Sequence, residues 1–216
     1  MASAFTVEFE FRGQRFEDAA SGLRAFYDII GKDWDGSARA LNVELRSFLD
    51  QVVEAIVTRN SGAWPGGTTA SSLSKRSGAL VAAIQSSVTV TGATFEAVQG
   101  SIGAPGIIYA KIQETGGTIK AKNAKFLTIP LKAALNANGT PIMKSARDWP
   151  NTFVARSKAG NLIIFQKRGA QIVPLYVLKP SVVIPPRLGM RKSLDAGLPY
   201  FVDRAMDAIV RSVMEK

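Results

Sequence analysis

Cysteine and histidine are both absent from this 216-residue sequence. Without cysteine there is no disulfide framework, no thiolate nucleophile and no thiolate metal site. Without histidine there is no Ser-His-Asp or Cys-His catalysis and no imidazole ligand. Carboxylates alone could form a metal site, but no ligand spacing supports one. No catalytic residue, no metal and no cofactor is therefore expected. Also missing is any stretch near the roughly 18 consecutive apolar residues of a membrane-spanning helix. Residues Met1 to Thr6 lack the charged-then-apolar layout of a secretory leader. The expectation is a soluble protein made and assembled in a cytoplasm.

Acidic residues are scarce over most of the chain. Residues 1–60 hold 7 Lys/Arg and 10 Asp/Glu, a net of −3, whereas residues 61–216 hold 20 and 7, a net of +13. The excess lies in 111–192, where 15 basic residues face only Glu114 and Asp148. Such a face is either simply solvated or meets a polyanion or an acidic partner. With 46% hydrophobic residues the chain can build a real core, and disorder is not indicated.

Periodicity gives the plan. Phe5 to Phe11 alternates apolar and polar as a half-buried strand does, and Phe16 to Ile30 turns to helical spacing through Leu23, Phe26, Tyr27 and Ile30. Ala38, Leu41, Leu45, Phe48, Val52 and Ile56 mark an amphipathic helix, capped by Asp35 or Ser37 and stopped at Asn60-Ser61-Gly62. The stripe packs on a core or forms a seam between subunits. Residues 61–75 are a Gly/Ser/Thr/Pro-rich loop anchored by Trp64. A helix through Leu80, Val81 and Ile84 follows. Then come a hairpin of 88–91 with 95–103, a short apolar run at 107–112, and a strand pair of 118–120 with 126–131. A second hairpin joins 153–156 to 162–166, a strand at 173–178 carries Pro174 near an edge, and 182–186 is extended. Leu194, Leu198, Phe201, Ala205, Ile209 and Val213 form a closing helix. Residues 132–150 carry no clear pattern. The fold class is α+β: an antiparallel sheet with amphipathic helices packed on one face, long N-terminal helices and a C-terminal helix. Two regions are expected, an N-terminal strand and helical region over 1–60 and an α+β core over 61–216 with an extended loop 61–75 and an arm 179–192.

No segment carries recognisable chemistry. Gly100 to Gly106 has scattered glycines but no phosphate-loop ending and no dinucleotide pattern. Glu114 is a lone carboxylate in basic surroundings, expected to pair with Lys111, Lys120 or a subunit neighbour. Lys120, Lys122 and Lys125 cluster on a turn and could touch phosphate without base readout. Arg187, Arg191 and Lys192 flank the last helix behind the rigid Pro185-Pro186, either as a solvated rim or as a docking arm.

Four segments, in order, resemble the virion morphogenesis and tail completion proteins of Mu-like and related tailed phages. The first is Trp64-Pro65 in its polar loop, followed by Leu73-Ser74-Lys75-Arg76-Ser77-Gly78-Ala79-Leu80 and Ile84-Gln85-Ser86-Ser87-Val88. The second, Tyr109-Ala110-Lys111-Ile112-Gln113-Glu114-Thr115-Gly116-Gly117, is similar to that family's Tyr-Ala-x-Ile-His-x-x-Gly-Gly strand. The third is Lys122-Asn123-Ala124-Lys125-Phe126-Leu127-Thr128-Ile129-Pro130, and the fourth is Val182-Val183-Ile184-Pro185-Pro186-Arg187. The resemblance covers about residues 60–216. Gln113 stands where the family has histidine, and Leu188-Gly189 where it has Pro-Phe.

The resemblance implies a structural virion protein of the neck that joins head to tail, with no catalytic residue. Its expected partners are further copies of this chain in a closed hexameric or dodecameric ring, neighbouring neck and tail proteins, and non-specific contact with genomic DNA in the channel. Its expected place is the virion. Candidate interface residues are Trp64, Pro65, Tyr109, Glu114, Pro185, Pro186 and Arg187. Lys120, Lys122, Lys125, Arg191 and Lys192 are the candidates for meeting DNA or an acidic partner. The alternative from the residues alone is a non-specific nucleic-acid-binding protein using the 111–192 face. A carboxylate hydrolase or nuclease would need clustered acids that 111–192 lacks.

Overall fold

Apolar residues at helical spacing, with no proline and one early glycine, run through Trp34–Arg59 and form α1. In the computed structural model, residues 9–11, 14–16 and 34–214 are described. The helical reading of 16–30 lies outside them, apart from Phe16, which closes a strand. A hairpin pairs β1 (Phe9–Phe11) with β2 (Gln14–Phe16). After α1 come β3 (Gly62–Ala63), β4 (Ser74–Lys75), α2 (Ala79–Gln85), β5 (Thr89–Thr91) and β6 (Gln99–Ser101). Next are α3 (Ala110–Thr115), β7 (Gly117–Lys120), β8 (Leu127–Pro130), β9 (Thr152–Arg156) and β10 (Leu162–Arg168). The chain continues through β11 (Gln171–Lys179), β12 (Ser181–Ile184) and α4 (Met190–Met214). Helices and antiparallel sheets, with an N-terminal and a C-terminal helix, make the chain α+β.

The chain divides into two units. One takes the chain up to Val52, Ser87–Ile102 and Leu194 onward; the other takes Val53–Ser86 and Gly103–Ser193. In the first, α1 and α4 run antiparallel. Ser37 Oγ lies 3.3 Å from Ser212 Oγ, Glu44 pairs with Arg204 at 3.5 Å, and Phe48 stacks on Phe201 with ring centroids 4.9 Å apart. Ala38, Phe48, Leu49, Val52, Ala205 and Val213 are buried there. Ser37 and Asp35 lie inside α1 rather than capping it, because the helix starts at Trp34. Ser37 is buried and spends its hydroxyl across the helix pair. Leu198 is exposed instead of packed, and with Val202, Met206 and Val210 forms an exposed row at steps of four along α4.

The second unit holds the main sheet, in the order β8-β11-β10-β9, all antiparallel. Its core gathers Ala134, Trp149, Leu175 and Tyr176, where the Trp149 indole N–H donates to the Tyr176 hydroxyl at 3.0 Å. Residues 132–150, unreadable from the sequence, are two short 3-10 turns that lay Ala134 and Trp149 against this sheet.

Four expectations are corrected. Residues 109–117 are not a strand: Tyr109 to Thr115 carries good helix formers, and Gly116 ends a short helix with φ 69°. Strands β7 and β8 do not pair with each other; β7 pairs with β12 and β8 with β11, so the lysine turn joins two different sheets. Phe95–Ala97 is a 3-10 turn, leaving Gln99–Ser101 as the return strand. Pro174 sits in an interior strand, but at the register shift between Ile164 and Phe165 and beyond the last β8 pair at Tyr176. No β8 partner awaits its missing N–H there, which reconciles proline with an interior strand.

Tyr176→Phe removes the only acceptor seen for the buried Trp149 N–H. We expect a loss of roughly 1–3 kcal/mol in unfolding free energy, read from urea denaturation. An unchanged midpoint would show that this bond contributes nothing net.

Candidate functional site

The start of α4 has a problem that the sequence does not reveal. The first N–H groups of a helix have no partner within it, and a side chain at the N-cap normally serves them. Here the preceding residue is Gly189, with φ 68° and no side chain to offer. The partners come from α3. The Gln113 carbonyl accepts from Arg187 N at 2.7 Å and Leu188 N at 2.8 Å. The Glu114 carboxylate accepts from Met190 N at 2.8 Å and Arg191 N at 2.9 Å. Negative charge at a helix N-terminus is also favoured by the aligned backbone dipoles. The expected ion pair of Glu114 with lysine is thus replaced by a helix cap.

The carbonyls of the same junction are met from the end of α1. Arg59 Nη2 donates to Leu188 O at 2.7 Å and Gly189 O at 2.8 Å. A Cβ at position 189 would stand 2.5 Å from that nitrogen and displace it from the two carbonyls, and φ 68° strains any residue with a side chain. Asn60, 3% exposed, donates to Ile56 O at 2.8 Å and Leu188 O at 3.3 Å, and accepts from Leu73 N at 2.8 Å. One amide therefore ties the helix end, the arm and the polar loop together.

That loop is held almost wholly by polar contacts. Thr68 Oγ1 donates to Ser74 Oγ at 2.7 Å, Ser72 Oγ to Gly67 O at 3.1 Å, and β3 pairs with β4 in parallel. Arg76 stacks over Trp64 at 4.0 Å and donates to Gly139 O at 2.8 Å, while the Trp64 ring lies against Gly139 with no room for a Cβ.

Between these parts opens a cleft of about 480 Å³. Trp64, Lys75, Arg76, Tyr109, Gln113 and Arg187 are among its walls, and no carboxylate is. The structure thus brings together Trp64, Tyr109 and Arg187, residues from three of the four motif segments. Pro65 is exposed beside it but does not line it, and Glu114 caps α4 instead. Pro186 is exposed and, with the half-buried Pro185, forms the arm that runs against Gly116. Lys120, Lys122, Lys125, Arg191 and Lys192 are exposed and lie outside the cleft. The first three lie at the end of the β7–β12 ribbon and in the loop after it, with Lys125 5.8 Å from the Phe126 ring centroid. Sequence reasoning missed Arg59, Asn60 and Gly139, whose partners are far away in the chain. Asn60 was legible only as a helix stop.

The other acid of the 111–192 region is spent in the same way as Glu114. Asp148 Oδ2 accepts from Ser145 N at 2.9 Å in a capping box. Among the described residues no group of three or more potential metal ligands is found, and no helix is long and apolar enough to cross a membrane. Comparison with protein-family models, with curated proteins and with solved structures finds no match.

Asn60→Ala takes the acceptor from the part-buried Leu73 N–H and one donor each from the Ile56 and Leu188 carbonyls, which keep Asn60 N and Arg59 Nη2, and should cost on the order of 1–2 kcal/mol. Glu114→Ala should cost about 1 kcal/mol, as loss of a helix cap does. Urea denaturation of both variants checks this; wild-type midpoints would show that the junction does not hold the fold.

Proposed function

We propose that this chain is a structural protein of a tailed-phage neck, joining head to tail as one subunit of a homo-oligomeric ring in the virion, and not an enzyme. The observation that carries the reading is the order of the four motif segments. It is supported by their geometry: the polar loop, the Tyr109–Gly117 segment and the 182–187 arm meet around one cleft and one hydrogen-bonded junction. A module whose parts are held by such mutual contacts suits a subunit that must present the same surface in every copy of a ring.

The test is the mass of the purified protein by light scattering across a salt series, with negative-stain imaging and detection in purified virions. A closed ring, or a monomer that closes only with neck or tail components, is the expected result. A persistent monomer absent from virions overturns the reading.

One observation favours a second reading, a non-specific nucleic-acid-binding protein. Of the 15 cations in 111–192, 13 are exposed, while both acids of that stretch are turned onto backbone N–H groups. If duplex DNA binds this face, replacing Lys120, Lys122 and Lys125 by glutamine lowers the salt slope of binding by about 0.9 for each lysine that touches phosphate. An unchanged slope in the triple variant removes the lysine turn from any DNA contact.

A further inference from the structure

The cleft has a chemistry of its own, whichever assembly the chain serves. Its cations are Lys75, Arg76 and Arg187, and its lining contains no acid to neutralise them. Arg76 is already committed, stacked over Trp64 and bonded to Gly139 O, so it is a fixed positive wall. Arg187 is different. Its backbone N–H is anchored on Gln113, but its side-chain Nε is buried with no partner. Gln113 Oε1 is likewise buried and unpartnered. Both atoms are shut off from solvent, so what Arg187 offers the cleft that it lines is its positive charge. The Trp64 ring and Tyr109, the latter 47% exposed, line the same cleft.

A ligand that fits this lining needs an anion for Arg187 and Lys75 and a flat or apolar group for Trp64 and Tyr109. Duplex DNA presents its phosphates on a convex rod, which fits a broad basic face better than a recess. We propose that the cleft docks an acidic, extended peptide segment of a partner protein, with a carboxylate on Arg187 and Lys75 and an apolar or aromatic side chain beside Trp64 and Tyr109. The fixed Trp64–Arg76 stack supplies a preorganised wall, so little ordering is needed there on binding. Complementary charge makes the encounter fast and salt-sensitive.

The experiment is fluorescence anisotropy on the full-length protein with a labelled acetyl-Glu-Trp-Glu-Leu-Glu-amide peptide, its Gln-for-Glu counterpart, and a labelled duplex of random sequence. The expected result is saturable binding of the acidic peptide, at least about tenfold weaker for the neutral one and for the Arg187→Gln variant, as loss of a charge-assisted bidentate contact predicts. The triple variant Lys120→Gln, Lys122→Gln, Lys125→Gln should bind the acidic peptide as wild type does. Circular dichroism of Arg187→Gln and its unfolding midpoint establish that the variant is folded; Lys75→Gln, at an exposed position, gives an independent loss. Equal binding of both peptides, binding untouched by Arg187→Gln and Lys75→Gln, or loss of peptide binding in the triple lysine variant overturns the proposal. So does duplex that displaces the peptide and is itself lost in Arg187→Gln, which would make the cleft a nucleic-acid site. Ring formation is read separately by light scattering, so failure of the cleft proposal leaves the neck reading standing or falling by itself.

Discussion

A helix that begins after a glycine in a left-handed conformation cannot cap itself, and much of the second unit follows from how α4 escapes that difficulty. Four backbone N–H groups, of Arg187, Leu188, Met190 and Arg191, find their acceptors on two consecutive residues of α3. The two carbonyls between them, of Leu188 and Gly189, are taken by the guanidinium of Arg59. Leu188, fully buried, fills the middle of this arrangement. Buried backbone polar groups must be paired somewhere, and here the partners lie about 75 and 130 residues away in the chain. The arm is consequently fixed with Arg187 on a cleft wall, and the position of that side chain is a by-product of capping a helix.

The same economy explains the charge of the surface. In most proteins a basic stretch is softened by neighbouring carboxylates. Between residues 111 and 192 the two acids are both drawn onto backbone N–H groups, one capping α4 and the other a 3-10 turn. Exposed ion pairs contribute little stability, whereas a cap on an otherwise unpaired N–H contributes more. Structure therefore claims the acids, while 13 of the 15 cations of the stretch stay exposed. The positive face is a consequence of the fold as much as of composition.

The parts legible in the sequence were those whose signal is local. The apolar period of α1 and α4 and the alternation across β9 and β10 each sit within one element, and periodicity finds them. What failed was pairing. Residues 118–131 look like a hairpin because a polar, lysine-rich turn separates two apolar runs, yet β7 joins β12 and β8 joins β11. Nothing within a dozen residues distinguishes these outcomes, since the deciding partners arrive some 50 residues later. The 109–117 segment was misread for another reason. Its apolar run invites a strand, whereas the helix formers Ala110, Lys111, Gln113 and Glu114 before Gly116 carried the better signal. The cleft was visible only in fragments, as Trp64, Tyr109 and Arg187 in separate motifs. Asn60, which ties the helix end to the loop and the arm, has the residue type expected of a helix end and no feature announcing its bonds to Leu73 and Leu188.

The polar loop is where fold and function press hardest on each other. Residues 61–75 bury almost no apolar side chain, so they cannot be held by the hydrophobic term that holds α1. They rest on hydroxyl and amide contacts, the Asn60 bonds and the Arg76–Trp64–Gly139 stack. Each such bond is worth little net once competition with water is counted. A segment of this kind belongs to the low-stability end of a structure, where local opening is cheapest. It is also one wall of the recess that gathers three of the motif segments. The Arg76–Trp64–Gly139 stack already fixes that wall, so a ligand seated there stabilises the loop through added contacts and not by ordering it. Binding and loop stability are then linked: a ligand that prefers the closed loop raises the free energy of its local opening by what the added contacts are worth.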